Sequence, residues 1–190
     1  GIVVVADKVY EHIVFDGAAH ASCAAHPELA ARSFVVSSFG KTYHITGWKV
    51  GYILAPRELM AEFRKVHQFN VFTVNTPVQL ALADYMADAS RHLALAAFYQ
   101  GKRDFFRAAM AGSRFELLPA RGTYFQLARY GAISDLGDAA FCAHLTRNVG
   151  VAAIPVSAFF ADGRDERVIR FCFAKNEATL AAAGEKLRAL

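Results

Sequence analysis

The sequence predicts an α/β unit with a mostly parallel sheet, followed by a smaller α+β unit. The continuous apolar run of residues 2–6 ends directly at Asp7, which is typical of a buried parallel strand that stops at a functional edge. Apolar residues recur at helical spacing in the segments that follow Pro56 and Thr76. After Gly112 short strand-like and helical segments follow one another, which indicates a second unit.

The first unit is predicted to contain three strands joined by loops and helices. Proline is favoured at the first position of a helix, so Pro27, Pro56 and Pro77 each indicate a helix start. Gly112 is expected to end a long helix that begins near Arg91. The predicted strands are residues 2–6, 34–37 and 49–55, and the predicted helices include residues 27–31, 78–86 and about 91–111.

The second unit is predicted to begin with an antiparallel pair of strands, residues 115–119 and 123–127. A helix over about residues 138–148, strands over 151–154 and 168–173 and a final helix over 178–190 complete the unit. We therefore divide the chain into part of a large domain, a long inter-domain helix and a small C-terminal α+β domain. These three parts are residues 1–89, 90–112 and 113–190.

The composition is that of a folded chain with a large apolar core. Of the 190 residues, 55% are hydrophobic and 20% are charged, which argues against disorder. The net charge of +4 is modest and the basic residues are scattered, so we expect no nucleic-acid partner. No apolar run reaches the roughly 18 residues that a membrane span needs, and the first residues lack the pattern of a signal peptide.

The cysteines and histidines predict neither disulfides nor a metal site. Cys23, Cys142 and Cys172 are odd in number and far apart, which indicates reduced, buried thiols in a cytoplasmic protein. His20 and His26 are six residues apart, a spacing that neither a helix nor a strand places on one face. We therefore expect no metal.

The loop between the second and third predicted strands is the strongest candidate for chemistry. Lys41 lies there among hydroxyl-bearing residues and glycines, and Lys49 follows eight positions later. A flexible cation between two buried strands carries a desolvation cost. A binding partner or a covalent role is therefore the first hypothesis for Lys41.

Two short motifs could explain Lys41, and both fail. Gly40-Lys41-Thr42 ends like a phosphate-binding P-loop, but that motif requires a glycine where this chain has Val35. Ser38-Phe39-Gly40-Lys41 matches the S-x-x-K of penicillin-binding enzymes. That class also needs a Lys-Thr-Gly and a Ser-Asp-Asn triplet, and the chain has neither.

Several separated stretches together resemble the class I/II aminotransferases, which are pyridoxal-phosphate (PLP) enzymes of fold type I. The stretches are residues 7–12 (Asp-Lys-Val-Tyr-Glu-His), 37–52, 122–125 (Gly-Thr-Tyr-Phe) and 169–175 (Ile-Arg-Phe-Cys-Phe-Ala-Lys). Residues 74–84 are most similar to the bacterial methionine aminotransferases and the kynurenine aminotransferases. The resemblance covers essentially the whole chain, as the C-terminal half of such an enzyme. It implies that residues 1–89 belong to the PLP-binding large domain.

The resemblance implies roles at the cofactor for three residues. Lys41 would form a Schiff base with PLP and later carry the Cα proton of the substrate, for which burial and neighbouring cations must lower the pKa of its amine. Asp7 would pair with the pyridinium nitrogen and keep it protonated. Tyr10 would donate a hydrogen bond to the phenolic oxygen of the cofactor.

The resemblance also implies how anionic groups are bound. Ser38 and Lys49 would hold the phosphate of PLP, although many family members have arginine at the position of Lys49. Arg170 would bind the α-carboxylate of the substrate through a bidentate pair. Without the family, Arg170 would be interpreted as a strand arginine paired with Asp165 or Glu166.

The implied activity is transfer of an amino group from methionine, an aromatic amino acid or kynurenine to a 2-oxo acid, by a cytoplasmic homodimer. Family features that precede this stretch, among them a glycine-rich phosphate turn and an aromatic residue that stacks on the ring, have no counterpart in the chain. We therefore expect these 190 residues alone to be inactive. Two alternatives remain open: a PLP-dependent cysteine-conjugate β-lyase, and the non-catalytic aminotransferase-like domain of a transcription regulator.

Overall fold

Two sheets organise the chain, one in each half. The computed structural model describes residues 1–190, which divide into two compact units, residues 1–95 and residues 96–190. Each unit is described by itself below. The division into a large domain, an inter-domain helix and a small domain stays a prediction.

The first unit contains a three-stranded sheet in the order β1-β2-β3. Its strands are β1 (Val4–Asp7), β2 (Ser33–Ser38) and β3 (Gly51–Leu54). β1 and β2 are parallel, whereas β3 runs antiparallel to β2. The connection between β2 and β3 stays at one end of the sheet, so β3 returns in the opposite direction. β2, rather than the apolar β1, is the central strand here.

Alternate residues of β2 face the core of the first unit. Ser33, Val35 and Ser37 are buried, and the residues between them are half-buried. This two-residue period is the one expected of a strand with one covered face. β2 therefore ends at Ser38 with a defined orientation.

The helices of the first unit begin largely where local sequence predicts. They are α1 (Pro27–Ala30), α2 (Phe39–Thr42), α3 (Arg57–Asn70), α4 (Thr76–Met86) and α5 (Ser90–Leu93). The side chain of Asn75 accepts a hydrogen bond from the N–H of Val78 and so caps α4. The single helix predicted over residues 91–111 is two helices, because Ala94 closes α5 before α6 (Leu95–Ala109) begins.

The second unit contains a four-stranded antiparallel sheet in the order β4-β5-β7-β6. Its strands are β4 (Glu116–Leu117), β5 (Phe125–Arg129), β6 (Ile154–Pro155) and β7 (Val168–Cys172). The predicted antiparallel pair is present as β4 and β5. The strand predicted over residues 151–154 is reduced to β6.

Helices cover this sheet through an aromatic core. α6 buries Tyr99 and Phe106, and the buried Met110 follows directly after the helix. α7 (Asp138–His144) continues into a π-helical turn, Leu145–Val149, and α8 (Glu177–Arg188) is capped by the side chain of Asn176. None of the helices is both long enough and apolar enough to cross a membrane.

The three cysteines are unpaired. Cys142 is buried, and burial raises the pKa of its thiol to about 11, which keeps it protonated and unreactive. Cys23 and Cys172 are only half-buried, so the expectation that all three are buried is wrong for these two.

Candidate active site

The candidate site lies at one edge of the first sheet. β1 and β2 are parallel, and the register pairs Asp7 with Val36, two residues before the end of β2 at Ser38. The N–H of Lys8 extends this pairing by donating to the carbonyl of Val36 at 2.9 Å. Asp7 and Ser38 therefore end adjacent strands at the same edge, which we call the carboxyl edge. Ligands of open α/β sheets bind at this edge.

A short turn orients the carboxylate of Asp7. Its Oδ1 accepts a hydrogen bond from the N–H of Val9 at 2.9 Å, which makes an Asx turn directly after β1. The side chain is exposed. Tyr10 follows in the same turn, where it is half-buried and its carbonyl accepts from the N–H of Ile13.

Ser38 caps the helix that carries Lys41. Its Oγ accepts from the N–H of Gly40 at 3.0 Å and donates to the carbonyl of Val50 at 3.3 Å. The hydroxyl thus joins the end of β2 to the residue before β3. To donate to a phosphate, as predicted, the hydroxyl proton would have to turn away from Val50.

Gly40 is required by a close backbone approach. A Cβ at this position would lie 2.9 Å from the Cα of Thr46 and 3.2 Å from the Oγ of Ser38. The Oγ1 of Thr46 also donates to the carbonyl of Gly40 at 3.2 Å. Gly47, in contrast, has open space around it, so packing does not require glycine there.

Lys41 lies in α2, a four-residue helix that follows β2 directly. It is half-buried between Gly40 and Thr42, which are both buried. Its ammonium group makes no hydrogen bond and no ion pair within the chain. Lys8 at the same edge is instead ion-paired with Glu11 at 2.7 Å, whereas the amine of Lys41 is available to a ligand.

Lys49 adopts an unusual backbone conformation. Its φ of 57° and ψ of 44° lie in the left-handed region, which costs a non-glycine residue about 1 kcal/mol or more. The prediction that it begins the third strand is wrong, because β3 begins at Gly51. A Cβ at position 51 would lie 2.5 Å from the carbonyl oxygen of Ser37, so glycine is required there. The side chain of Lys49 is exposed and makes no contact with an acidic group.

A cluster around Glu11, which sequence reasoning missed, connects two segments of the site. Glu11 accepts from the Nζ of Lys8 at 2.7 Å and from the hydroxyl of Tyr52 at 2.8 Å. Partial burial by itself would raise the pKa of Glu11, but these hydrogen bonds outweigh it and the pKa is lowered. Burial by itself would lower the pKa of Lys8, but its hydrogen bonds to Glu11 and Tyr52 outweigh this effect and the pKa is raised. Glu11 thereby ties the segment after β1 to β3.

Aromatic side chains pack around α2. The ring of Phe39 lies 5.4 Å from Tyr52 and 6.2 Å from Tyr43, measured between ring centroids. Tyr43 contacts Tyr85 edge to face, and its hydroxyl lies 3.4 Å from Nδ1 of His92. Tyr43 therefore connects α2 with the segments that carry Tyr85 and His92.

Arg170 lies in the second unit, on β7. Its guanidinium carbon is 4.1 Å from the ring centroid of Phe125 and 4.8 Å from that of Phe159. The pairing with Asp165 or Glu166 that the sequence left open does not occur, because Glu166 binds Arg164 and Asp165 accepts backbone N–H groups. The Nε of Arg170 is buried and has no hydrogen-bond partner. A buried donor without an acceptor destabilises the fold by roughly 1–3 kcal/mol, so a ligand that accepted a hydrogen bond from Nε would bind favourably.

Comparison with known proteins decides the family. The sequence model described as aminotransferase class I and II matches residues 1–187. This chain is a class I and II aminotransferase sequence. The family and the fold class predicted from the sequence are confirmed.

Relatives of this aminotransferase chain are similar along its whole length. It is 56% identical to the methionine aminotransferase of Escherichia coli over 190 residues, and 33% identical to human kynurenine–oxoglutarate transaminase 1 over 209 residues. The chain spans about half the length of these relatives, 49% of the first and 50% of the second.

Solved structures of related proteins agree with the family assignment. The crystal structure of an E. coli protein identified as a methionine aminotransferase superposes with a TM-score of 0.95 at 56% identity, covering 99% of this chain and 50% of that chain. The N-succinyldiaminopimelate aminotransferase of Mycobacterium tuberculosis superposes with a TM-score of 0.89 at 37% identity, covering the same two shares. The fold of this aminotransferase chain is thus that of its family.

PLP is the cofactor known for this family, and the residues of the carboxyl edge fit it. PLP has an aldehyde, a basic ring nitrogen and a phosphate. The edge offers an unpaired amine at Lys41, an exposed carboxylate at Asp7 and an exposed cation at Lys49. All of these residues, with Tyr10 and Ser38, belong to the first unit.

Proposed function

We propose that this chain belongs to a PLP-dependent aminotransferase that moves the amino group of methionine, an aromatic amino acid or kynurenine to a 2-oxo acid. The observation that carries the proposal is the half-buried, unpaired Lys41 on a serine-capped turn at the carboxyl edge. The similarity to the E. coli methionine aminotransferase supports the substrate class. The kinetic mechanism would be ping-pong, because the amino-acid donor and the 2-oxo-acid acceptor use the same site in turn.

In this proposal Lys41 is the residue to which the cofactor is joined, and its Nζ moves the proton of the substrate Cα. The amine of Lys41 lies in a half-buried turn and has no carboxylate partner, so no ion pair must be broken before it reacts, which suits a nucleophile and base. When bound, PLP supplies a protonated ring that withdraws electrons from the substrate Cα. Asp7 keeps a proton on the ring nitrogen through its charge, and Tyr10 orients the phenolic oxygen.

Ser38 and Lys49 would hold the phosphate in different ways. Ser38 offers a hydroxyl at the first turn of α2, and Lys49 offers a hydrated point charge rather than the planar fork of an arginine. The left-handed backbone at Lys49 gives its side chain a direction that a strand residue would not have. A phosphate held in this way would give a reason for a strained residue at this place.

Arg170 would bind the α-carboxylate of the substrate. Its guanidinium carbon lies over the rings of Phe125 and Phe159, and these apolar neighbours leave its N–H groups to a ligand. The buried Nε without a partner is on this edge. A carboxylate that accepted from Nε and one terminal nitrogen would satisfy it.

Borohydride reduction tests the attachment residue. The full-length protein is incubated with PLP, reduced, digested and mapped by mass spectrometry. We expect the cofactor mass on Lys41, and its loss in Lys41→Arg but not in the control Lys65→Arg, an exposed lysine of α3. Labelling of a residue other than Lys41 in the wild type would refute the assignment.

We further propose a cytoplasmic homodimer. Three unpaired cysteines suit a reducing compartment. The first unit exposes large apolar side chains, among them Phe69 at 87% and Phe72 at 75%, and such surface is usually covered by another polypeptide. Light scattering of the full-length protein should give twice the monomer mass. A monomer at micromolar concentration would contradict the dimer.

The β-lyase alternative differs in its products. Elimination from a cysteine conjugate releases pyruvate and ammonia, whereas transamination releases a new amino acid. The relatives reported above carry aminotransferase names, which favours transamination. Product analysis with methionine and a cysteine conjugate would separate the two activities.

A further inference from the structure

The cleft in front of Arg170 contains a second arginine, Arg121. We call this space the Arg170 cleft. Its volume is about 380 Å³, which lies in the range of small-molecule sites. Ten residues line it, and neither Asp nor Glu is among them. The cleft therefore has two guanidinium groups and no acidic group to neutralise them.

Arg121 is not engaged elsewhere in the chain. Its side chain is exposed and makes no ion pair or hydrogen bond. Three other exposed arginines of the second unit are paired: Arg129 with Glu116, Arg164 with Asp162 and Arg167 with Asp135. An arginine without an acid beside a cleft that holds Arg170 points to an anionic group on the ligand.

The loop that carries Arg121 is held in place by buried groups of α6. Nη1 of Arg103 donates to the carbonyl of Ala120 at 2.9 Å, and Nη1 of Arg107 donates to the carbonyl of Leu118 at 3.0 Å. The Nε2 of Gln126, which is fully buried, also donates to Leu118, at 2.6 Å. The backbone next to Arg121 is therefore fixed before any ligand binds, which lowers the entropic cost of using it.

The same loop is connected to Arg170 through the sheet. β5 follows the loop and pairs with β7 so that Leu127 lies opposite Arg170. Thr123, between the loop and β5, adopts a φ of 62°, an unfavourable value for a β-branched residue. Strain of this kind persists where the surroundings hold it, often next to a binding site.

We propose that Arg121 recognises the second carboxylate of a dicarboxylic 2-oxo acid and of the matching amino acid, while Arg170 binds the α-carboxylate. This inference rests on the proposed function and adds a specificity-determining residue to it. A monocarboxylic substrate uses Arg170 and the apolar walls of the cleft, such as Val156 and Phe159, and leaves Arg121 hydrated. Arg121 therefore matters for dicarboxylic substrates only.

Steady-state kinetics of the full-length, PLP-loaded protein test this inference with 2-oxoglutarate and the monocarboxylic 2-oxohexanoate as acceptors. In Arg121→Gln we expect the KM for 2-oxoglutarate to rise about tenfold, the lower end for a charge-assisted hydrogen bond because the group is exposed. The KM for 2-oxohexanoate should change less than about twofold, and kcat should hold for both. Arg121→Lys should recover part of the loss.

The control is Arg147→Gln, which removes an exposed, unpaired arginine that does not line the cleft. We expect it to leave both KM values unchanged. If Arg121→Gln left the ratio of the two KM values at that of the wild type, the inference would be overturned while the proposed function stood.

A wild type without transaminase activity on either acceptor would instead contradict the proposed function. Calorimetry with glutarate and pentanoate, which cannot react, then decides the inference by itself. Weaker glutarate binding in Arg121→Gln, with pentanoate binding unaffected, supports it. Equal glutarate affinities in the two proteins overturn it.

Discussion

Replacing Glu11 by Gln removes the charge of the acceptor that joins Lys8 to Tyr52, and this change tests whether the cluster stabilises the candidate site. The side chains of Lys8 and Glu11 are only 14% and 18% exposed, and Nζ lies 2.7 Å from Oε2. Hydrogen bonds to charged groups contribute about 1.5–3 kcal/mol when shielded from water. Glutamine keeps an acceptor for Tyr52, so we expect Glu11→Gln to lower the free energy of unfolding by about 1–2 kcal/mol at pH 7.

The chain offers a matched control in Glu62→Gln. Glu62 and Lys65 form a pair with the same three-residue spacing and the same 2.7 Å distance, but both side chains are 69% exposed. Exposed pairs contribute about 0–1 kcal/mol, so we expect a change of about 0.5 kcal/mol or less. The difference between the two variants isolates the effect of burial.

The pH dependence gives the prediction a direction. The folded-state pKa of Glu11 is lowered, so its contribution is present above the unfolded pKa and is lost as the pH falls through the folded one. The pKa of Lys8 is raised, so its contribution is present below its unfolded value and is lost as the pH rises through the folded value. The difference in free energy of unfolding between wild type and Glu11→Gln should be largest at pH values between the pKa of Glu11 and that of Lys8, near neutral pH.

Far-UV circular dichroism measures this effect, because its signal follows the loss of helices and strands on unfolding. Urea titrations of the 190-residue chain would be recorded at pH 7 and in acid. Equal stabilities of wild type and Glu11→Gln at pH 7 would refute the reasoning. If Glu11→Gln lowered the free energy of unfolding by the same amount in acid as at pH 7, packing and not charge would be responsible.

Three further variants follow from the structure. Gly40→Ala brings a Cβ to 2.9 Å from the backbone of Thr46, so we expect the free energy of unfolding to fall by about 1–3 kcal/mol and the PLP labelling to weaken. The control Gly47→Ala places its Cβ in open space and should change neither quantity. Arg170→Ala should raise the KM for amino-acid substrates by tenfold or more, because a charge-assisted pair contributes about 1.5–3 kcal/mol to binding. An unaltered KM would show that Arg170 does not belong to the site. Asp138→Ala leaves the N–H and hydroxyl of Ser157 without their acceptor at 2.7 Å and should lower the melting temperature by several degrees, roughly 2–4 °C per kcal/mol for a chain of this size. The same thermal scan on Asp135→Ala, an acid exposed at 97%, should give the wild-type value.

Helix starts were predictable because they depend on neighbouring residues. Asn75 and Asn176 accept hydrogen bonds from N–H groups three residues later, an interaction that the order of residues already specifies. Pro27 and Pro77 lie in the first turns of α1 and α4, where their missing N–H costs nothing. The single helix over residues 91–111 was wrong because one closing residue, Ala94, leaves no mark in the hydrophobic pattern.

Strand pairing was less predictable, since it depends on residues far apart in the chain. The apolar run of β1 indicated a central strand, yet β2 is the central strand of the three-stranded sheet. The antiparallel direction of β3 follows from the path of the loop between it and β2. Each strand pattern reports burial but does not identify the neighbours that provide it.

The sequence by itself determined the family and, with it, the residues to examine, which lie in stretches that resemble the aminotransferases: Asp7, Tyr10, Ser38, Lys41, Lys49 and Arg170. Their assignment to particular atoms of cofactor and substrate stays a proposal.

Only the tertiary structure decided what surrounds these residues. Glu11 and Tyr52 are 41 positions apart and meet because β3 folds back beside β2. Lys41 has no partner while Lys8 has one, and Arg170 contacts two aromatic rings instead of pairing with a neighbouring acid. The physical reason is range: capping and helix propensity act over about four residues, whereas ion pairing and burial depend on which distant segments the fold brings into contact.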